Sequence, residues 1–284
     1  MASDSNQGQV DFWNADPGRN WVLFQPEMDL VMAGVADLLL LAADPAPGES
    51  AIDIGCGAGA TTLAVARRVG PQGRVIGIDI SEPLLARAEE RRRESGLDHT
   101  SFLLADAQDH AFSRGMADLI LSRFGVMFFA DPVAAFRNLG AALRPGGRMV
   151  MAAWAEVEAN PFFSVPGRIA ATRLGPPEPS DPDAPGPMAF RDVGRVTGIL
   201  QDAGLDEARA ERREVDLHHP GGVEAVVTLL TAIGSIPRLM RDKCGTAADM
   251  DAIRDGLRAA FAGYASADGV RVPAVINLYT AAKP

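Results

Sequence analysis

The chain has 284 residues, 47% hydrophobic and 23% charged, which predicts one large domain or two small ones and excludes a disordered, collagenous or coiled-coil chain. Its formal net charge is −10 and its only lysines are Lys243 and Lys283, so the surface repels phosphate backbones and no nucleic-acid partner is expected. Two cysteines, Cys56 and Cys244, make neither a disulfide framework nor a zinc cluster, and no metal site is expected. Residues 1–10 lack a basic and an apolar signal region, and the longest apolar stretch, 30–43, is too short and, with Asp37, too charged to cross a bilayer. A cytoplasmic chain without a membrane span is the expectation.

Residues 11–43 read as one or two helices dense in aromatic residues, among them Phe12, Trp13, Trp21 and Phe24. Short apolar runs then alternate with helical patterns, the mark of an α/β protein with a parallel sheet covered by helices. Residues 51–54 form a first buried strand, with Leu63, Ala66 and Val69 at helical spacing behind it. Residues 74–80 form a second. Ser81 stands as N-cap of a helix over 82–95, with Pro83 in its first turn and Gly96 at its end. Strands over 100–104 and 117–122 follow, with His110 at the start of a helix between them. Pro132 opens a helix with Phe136, Leu139 and Leu143 on one face; Pro145-Gly146-Gly147 stops it, and 148–154 is a fifth strand. Six prolines within 175–188 require a surface loop or lid. Residues 192–203 are helical up to Gly204, and 207–217 alternates weakly as a sixth strand. Val223, Val226, Val227, Leu230 and Ile233, then Met250, Ile253, Leu257, Phe261 and Tyr264, mark two cap helices before a last strand over 272–281.

Residues 51–61, AIDIGCGAGAT, carry a strand into Gly55, Gly57 and Gly59 and directly on into a helix. Gly55 permits a tight turn, Gly57 lets a ligand lie against bare backbone, and free N–H groups at the helix start face it. Asp79 ends the second strand 20 residues beyond Gly59, where a carboxylate accepts both hydroxyls of a ribose or, alternatively, caps the helix near Ser81. Asp106, after the third strand, either meets an adenine amino group or serves as a cap. All three acids, Asp53 included, fall at carboxyl ends of strands, where open parallel sheets bind ligands. Two ligand classes fit, dinucleotides and S-adenosylmethionine, because Gly55, Gly57 and Ala60 also satisfy the looser dinucleotide spacing.

The segments DIGCGAG (53–59), GIDIS (77–81), ADA (105–107), DLILSRFGVMFFADP (118–132) and LRPGGRMVMAAW (143–154) resemble, in order, the motifs of class I S-adenosylmethionine-dependent methyltransferases. They are most similar to the small-molecule subgroup that includes ubiquinone and menaquinone biosynthesis enzymes. The resemblance implies a Rossmann-like, mostly parallel seven-stranded sheet flanked by helices, with helical cap or lid segments at the N-terminus and before the last strand. The pattern of strands and helices divides the chain into an N-terminal lid over 1–45, a cofactor-binding core over 46–158, a Pro-rich lid loop and helix over 159–200, a core strand over 201–220, a helical cap over 221–268 and a last core strand over 269–284. The resemblance to the methyltransferases also implies that Asp53, Gly55, Gly57 and Gly59 surround the methionine part of S-adenosylmethionine, that Asp79 and Ile80 hold the ribose, and that Asp106 and Ala107 hold the adenine. Ser122 and Arg123 would flank the methionine and the transfer site. Cys56 lies in the same turn and reads as a small residue that fits, since no histidine nearby would activate it.

The chemistry implied is in-line displacement at a sulfonium methyl, yielding S-adenosylhomocysteine, with alignment and water exclusion as the protein's share. If the acceptor needs a base, His218 and His219 stand near the carboxyl end of the sixth strand, and an exposed strand end is their bland alternative. Arg123, at a buried strand end, is either paired with Asp53 or Asp131 or binds an anionic group of the substrate. Met127, Phe128 and Trp154 would wall a substrate pocket, and Trp13, Trp21, Gln25 and Met28 would roof it, unless they simply pack. The tetrapeptide Ser122-Arg123-Phe124-Gly125 is not the Asn/Asp-Pro-Pro-Tyr of enzymes that methylate nucleic-acid amines or glutamine. A small hydrophobic acceptor follows, its atom being O, N, C or S. Alternatives are a non-methylating use of the same cofactor, such as cyclisation or decarboxylation, and a nicotinamide-dependent oxidoreductase, against which the missing Tyr-x-x-x-Lys pair counts. A homodimer stays open, since apolar cap helices pair with a second subunit as readily as they cover a pocket.

Overall fold

The computed structural model describes residues 6–284, so the first five residues of the 1–45 segment lie outside the described residues. The aromatic-rich start forms four short helices rather than one or two: α1 (Gln7–Asn14), α2 (Asp16–Leu23), α3 (Gln25–Val31) and α4 (Ala33–Ala43). Pro17 and Pro26 stand in the first turns of α2 and α3 and cannot donate the amide that would carry one helix into the next.

Then follow β1 (Ser50–Ile54), α5 (Ala60–Val69), β2 (Arg74–Asp79), α6 (Glu82–Ser95), β3 (Thr100–Leu104) and β4 (Ala117–Arg123). No helix separates β3 from β4: the chain turns over 106–109, and His110 stacks edge-on against Phe112 instead of opening a helix. A 3₁₀ turn (Val126–Phe128) leads to α7 (Pro132–Ala142), capped by the Asp131 carboxylate, which accepts from the Ala134 N–H at 2.9 Å. The fifth strand, β5 (Leu143–Trp154), begins earlier than expected; Pro145-Gly146-Gly147 sits inside it, where its pairing with β4 shifts register. Next come α8 (Pro161–Leu174), α9 (Val193–Asp202), β6 (Asp206–His219), α10 (Gly222–Ala232), α11 (Ser235–Asp242), α12 (Ala247–Phe261), the two-residue β7 (Ala265–Ser266) and β8 (Gly269–Ala282). Helices α8 and α11 are additions to the expected set. Each carries a proline, Pro166 and Pro237, which disguises its periodicity.

The sheet order is β3-β2-β1-β4-β5-β8-β6, with β7 paired to β8, so the sheet has eight strands where seven were expected. Strands β1 to β5 are parallel, and β8 runs antiparallel between β5 and β6. β6 is therefore parallel to β5, and its carboxyl end lies at the same end of the sheet. Central strands are buried almost continuously, as in Leu119, Ile120 and Leu121, because helices cover both faces. Full burial of each such side chain contributes about 1.5–3 kcal/mol. α4 belongs to this covering layer: Val35, Leu39, Leu40 and Ala43 are buried where it packs on β4, β5 and β6. The edge strand β6 carries alternating Glu and Arg side chains on its exposed face, which discourages pairing with another chain. Strand order reverses between β1 and β4, so a crevice opens beyond their carboxyl ends.

Candidate active site

At the end of β1 the chain enters the left-handed region at Gly55, Gly57 and Gly59, with φ of 64°, 53° and 79°. A Cβ on Gly57 would meet nothing within 4 Å, so this backbone faces open space that a ligand can approach. A Cβ on Gly55 would lie 2.5 Å from the Cα of Gly125, so the loops leaving β1 and β4 touch backbone to backbone. Asp79 braces the turn. Its Oδ2 accepts the Gly57 N–H at 2.7 Å and its Oδ1 the Ser81 N–H at 2.9 Å, and the Ile80 N–H also bonds this carboxylate. Ser81 caps nothing with its side chain: its hydroxyl donates to the Trp13 carbonyl at 2.8 Å, and the Asn14 side chain accepts the Glu82 N–H instead.

Asp53 is buried, and Thr62 from the first turn of α5 donates to its Oδ2 at 2.6 Å. Burial raises its pKa to about 7, despite the hydrogen bond from Thr62 and the positive charge of Arg123. Burial also pushes the Cys56 thiol well up, so it stays protonated, a packed residue rather than a nucleophile. The Ser122 hydroxyl is fully engaged: it donates to the Ile54 carbonyl at 2.7 Å and accepts from Gly125 and Val126. It thus ties the β1 and β4 loops together.

Arg123 ends β4, and burial pushes its pKa down. Neither expected partner pairs with it: Asp131 caps α7, and Asp53 acts on it only electrostatically, as does Asp29. Among the described residues its guanidinium makes no hydrogen bond or ion pair. The next residue, Phe124, holds φ of 67°, unusual for a side chain of that size, and stacks on Trp154 at 4.1 Å between ring centroids. Trp154 meets Phe163 of α8 edge-on.

The N-terminal helices close over this crevice. Trp13 packs edge-on against Trp21 and Phe128, with centroids 5.7 and 5.6 Å apart. Asn14 donates to the Ile80 carbonyl at 2.9 Å. Asn6 donates to Asp106 Oδ2 at 2.7 Å, while Oδ1 of that carboxylate accepts the Gln108 N–H, so an amide of the lid sits on the acid assigned to adenine. Gln25 is tied between Asp29 and Arg87, and Arg91 joins Asp29 at 2.6 Å to the Ala58 carbonyl at 2.7 Å, which fastens α3 to α6 and the glycine turn. Met28 and Met127 are enclosed, and the Met127 carbonyl anchors the Pro-rich loop through the Gly186 N–H. The carbonyl of Ala107, also buried, accepts from Asn138.

His218 and His219 cannot both face inward, since neighbours on a strand point to opposite sides. His218 turns to the rim, bonding the Asp268 carbonyl at 2.9 Å, whereas His219 is buried. His219 Nδ1 accepts the Gly221 N–H at 3.0 Å, so in the neutral ring Nε2 already carries the proton and is not a free base. Asn6, Asn14, Asp29, Thr62 and Arg91 had no motif to announce them; only Thr62, at the helix start after the glycine turn, had a positional signal. Among the described residues no group of three or more His, Cys, Asp or Glu is placed to hold a metal, and no single helix is long and apolar enough to cross a membrane.

Open backbone at Gly57, carboxylates with spare acceptor sites at the ends of β2 and β3, and a half-ionised acid beside the turn fit the ribose, adenine and ammonium groups of S-adenosylmethionine. An ammonium beside Asp53 favours its ionised form. Affinity for S-adenosylhomocysteine should therefore tighten as pH rises from 6 towards 8, by up to about tenfold per unit below pH 7, and Asp53→Asn should flatten the profile in titration calorimetry. The ligand-free protein should behave oppositely: its raised Asp53 pKa makes stability fall as pH climbs from about 4 through about 7, then level off.

A family model described as a methyltransferase domain matches residues 45–173. The nocamycin O-methyltransferase of Saccharothrix syringae is 34% identical over 206 residues, 68% of this chain and 71% of that protein. The aklanonic acid methyltransferase of a Streptomyces species is 37% identical over 106 residues, 37% of this chain; the match spans 48% of that relative. An S-adenosylmethionine-dependent methyltransferase from Aquifex aeolicus shares the fold, with a TM-score of 0.51 at 20% identity over 71% of this chain and 92% of its own.

Proposed function

The chain belongs to the S-adenosylmethionine-dependent methyltransferases and transfers methyl to a small molecule, and on that premise we propose that its acceptor atom is an already acidic oxygen, held as an oxyanion by Arg123. S-adenosylmethionine supplies the methyl group on a sulfonium that is its own leaving group. Asp53 and the turn of Gly55, Cys56, Gly57 and Gly59 then hold the methionine part, Asp79 and Ile80 the ribose, and Asp106 and Ala107 the adenine, once the Asn6 amide yields its place. Ser122 keeps the two loops in register. Trp13, Trp21 and Phe128 close the roof and keep water from the transfer site.

The observation that carries the oxygen assignment is the half-buried guanidinium of Arg123 at the end of β4, without an ion-pair partner among the described residues. Asp29 Oδ2 is already shared by Gln25 and Arg91, and Asp53 is only half ionised at pH 7, so the cluster has room for one more anion. An acid bound as its anion needs no general base, which agrees with a His219 that already holds its proton. The names of the two relatives, one an O-methyltransferase and one acting on an acid, support the same reading. The net charge of −10 favours a small molecule over nucleic acid as partner, and we place the reaction in the cytoplasm.

The test is to incubate the protein with methyl-labelled S-adenosylmethionine and a metabolite extract of its source cells, then locate the label by tandem mass spectrometry. The expected product carries it as a methyl ester or ether. Label on nitrogen, carbon or sulfur would overturn the acceptor, and no label despite bound cofactor would overturn the methyl transfer.

A further inference from the structure

One segment of the crevice carries a backbone cost that its turn does not require. After β4 the chain reverses so that Gly125 presses on Gly55 of the cofactor turn, where a Cβ on either glycine would come within 2.6 Å of the other's Cα. The residue that makes this reversal is Phe124, with φ of 67°. Glycine takes that conformation freely and asparagine with little strain, whereas a bulky aromatic residue is strained there. The ring, not the turn, therefore accounts for a phenylalanine at this position. Strain of this kind persists where the surroundings impose it, and it gathers at ligand clamps.

The surroundings fix the ring. It lies flat on Trp154 of β5, with centroids 4.1 Å apart and planes 8° from parallel. Trp154 is 3% exposed and meets Phe163 of α8 edge-on at 4.9 Å, so the supporting ring is held from both sides. The Phe124 N–H donates to the Ala152 carbonyl at 3.0 Å and pins the backbone to β5. Phe124 itself is only half-buried. Trp154 covers one face of the phenyl ring, so the accessible part of the side chain lies away from it. Both chain neighbours belong to the site: Arg123 is the residue assigned to the oxyanion, and Gly125 touches the cofactor turn. We propose that the Phe124 ring, backed by Trp154, is a platform on which an aromatic ring of the acceptor stacks. Offset stacking rewards a flat partner, and a saturated ring of the same size forfeits it. Consecutive Cα atoms are about 3.8 Å apart, so the oxygen held by Arg123 sits on that ring directly or through one carbon. The inference rests on the methyl-transfer and oxyanion readings and adds a substrate class to them: a phenol or an aryl carboxylate rather than an aliphatic acid. Phe124 sets specificity and moves no proton.

With S-adenosylhomocysteine saturating, calorimetry compares 2-naphthoic acid with decahydro-2-naphthoic acid, which keeps the carbon skeleton and carboxylate and has no flat ring. The parent protein should bind the aromatic acid about five- to tenfold more tightly. Phe124→Leu keeps apolar bulk, deletes the ring and should bring the two affinities within about twofold; Phe124→Tyr keeps the ring and should keep the preference. The naphthoate absorption band should lose intensity on binding to the parent protein and to Phe124→Tyr but not to Phe124→Leu, a stacking signature that a purely structural phenylalanine does not produce. Equal binding of the two acids by the parent protein, preference for the saturated one, or binding of neither overturns the platform. A preference that survives in Phe124→Leu also overturns it and, with a Tm lower by about 5 °C or more, assigns the stack to the fold. Failure of the oxyanion reading shows separately, as 2-naphthamide binding as tightly as 2-naphthoic acid, and failure of the methyl-transfer reading as absence of label transfer from S-adenosylmethionine.

Discussion

Arg123→Gln should lower kcat/KM for the acceptor by about 10²–10³-fold, equivalent to about 3–4 kcal/mol of lost transition-state stabilisation. The size follows from the setting: a half-buried guanidinium at the end of β4, with Asp29 committed to Arg91, gives an oxyanion charge-assisted hydrogen bonds that a neutral amide cannot replace. Arg123→Lys should recover only about tenfold of this, since an ammonium restores the charge but not the planar two-point geometry. Affinity for S-adenosylhomocysteine should change by less than about threefold, and Tm should not fall, because the residue removed has no partner among the described residues to leave unpaired. Steady-state kinetics, calorimetry with the cofactor product and a thermal melt check the three parts. A parallel loss of cofactor affinity would transfer Arg123 to the cofactor's own carboxylate and remove the support for an acidic acceptor.

Gly125→Ala should be the most damaging single-methyl change in the crevice. The backbone at Gly125, φ −79° and ψ −37°, suits any residue, so conformational strain plays no part. Space decides. The added Cβ would lie 2.5 Å from the Ile54 carbonyl oxygen and 2.6 Å from the Gly55 Cα, both of them backbone atoms of the cofactor turn that cannot swing aside. We expect a stability loss of about 2–3 kcal/mol, a Tm lower by about 5–10 °C, and cofactor binding weakened at least about 100-fold as the turn is displaced. Gly57→Ala makes the contrast. Its Cβ meets open space but its φ of 53° is unfavourable, so Tm should drop by only a few degrees while cofactor approach is still obstructed. Equal melting temperatures for the two variants would remove the backbone contact as an explanation.

How far the site was legible depended on whether it lay along the chain or across it. Gly55, Gly57, Gly59, Asp79 and Asp106 were readable because each occupies a fixed offset from a strand end, and a parallel sheet brings those ends together whatever packs above. The contact of Gly55 with Gly125 was not, since the two are joined only by the neighbouring positions of β1 and β4. Ser81 shows how a local rule yields to a tertiary one. It occupies the N-cap position of α6, but the Trp13 carbonyl takes its hydroxyl and Asn14 caps in its place. The same holds for Arg123, whose expected partners Asp53 and Asp131 are engaged by Thr62 and by the first turn of α7.

Sequence alone determined the α/β class, the first five strands along the chain and the glycine turn with its acids, because these depend on periodicity and on spacing within single strand–turn–helix units; the choice of S-adenosylmethionine over a dinucleotide came from the resemblance of the ordered motifs. Tertiary structure alone decided the roof. Four short helices rather than one or two bring Asn6 to Asp106, Asp29 to Arg91 and Glu27 towards His219, across separations of 62 to 192 residues that no local pattern encodes. It also decided which histidine faces inward and which tautomer it holds, since both depend on the pleat of β6 and on a single N–H from the turn that follows.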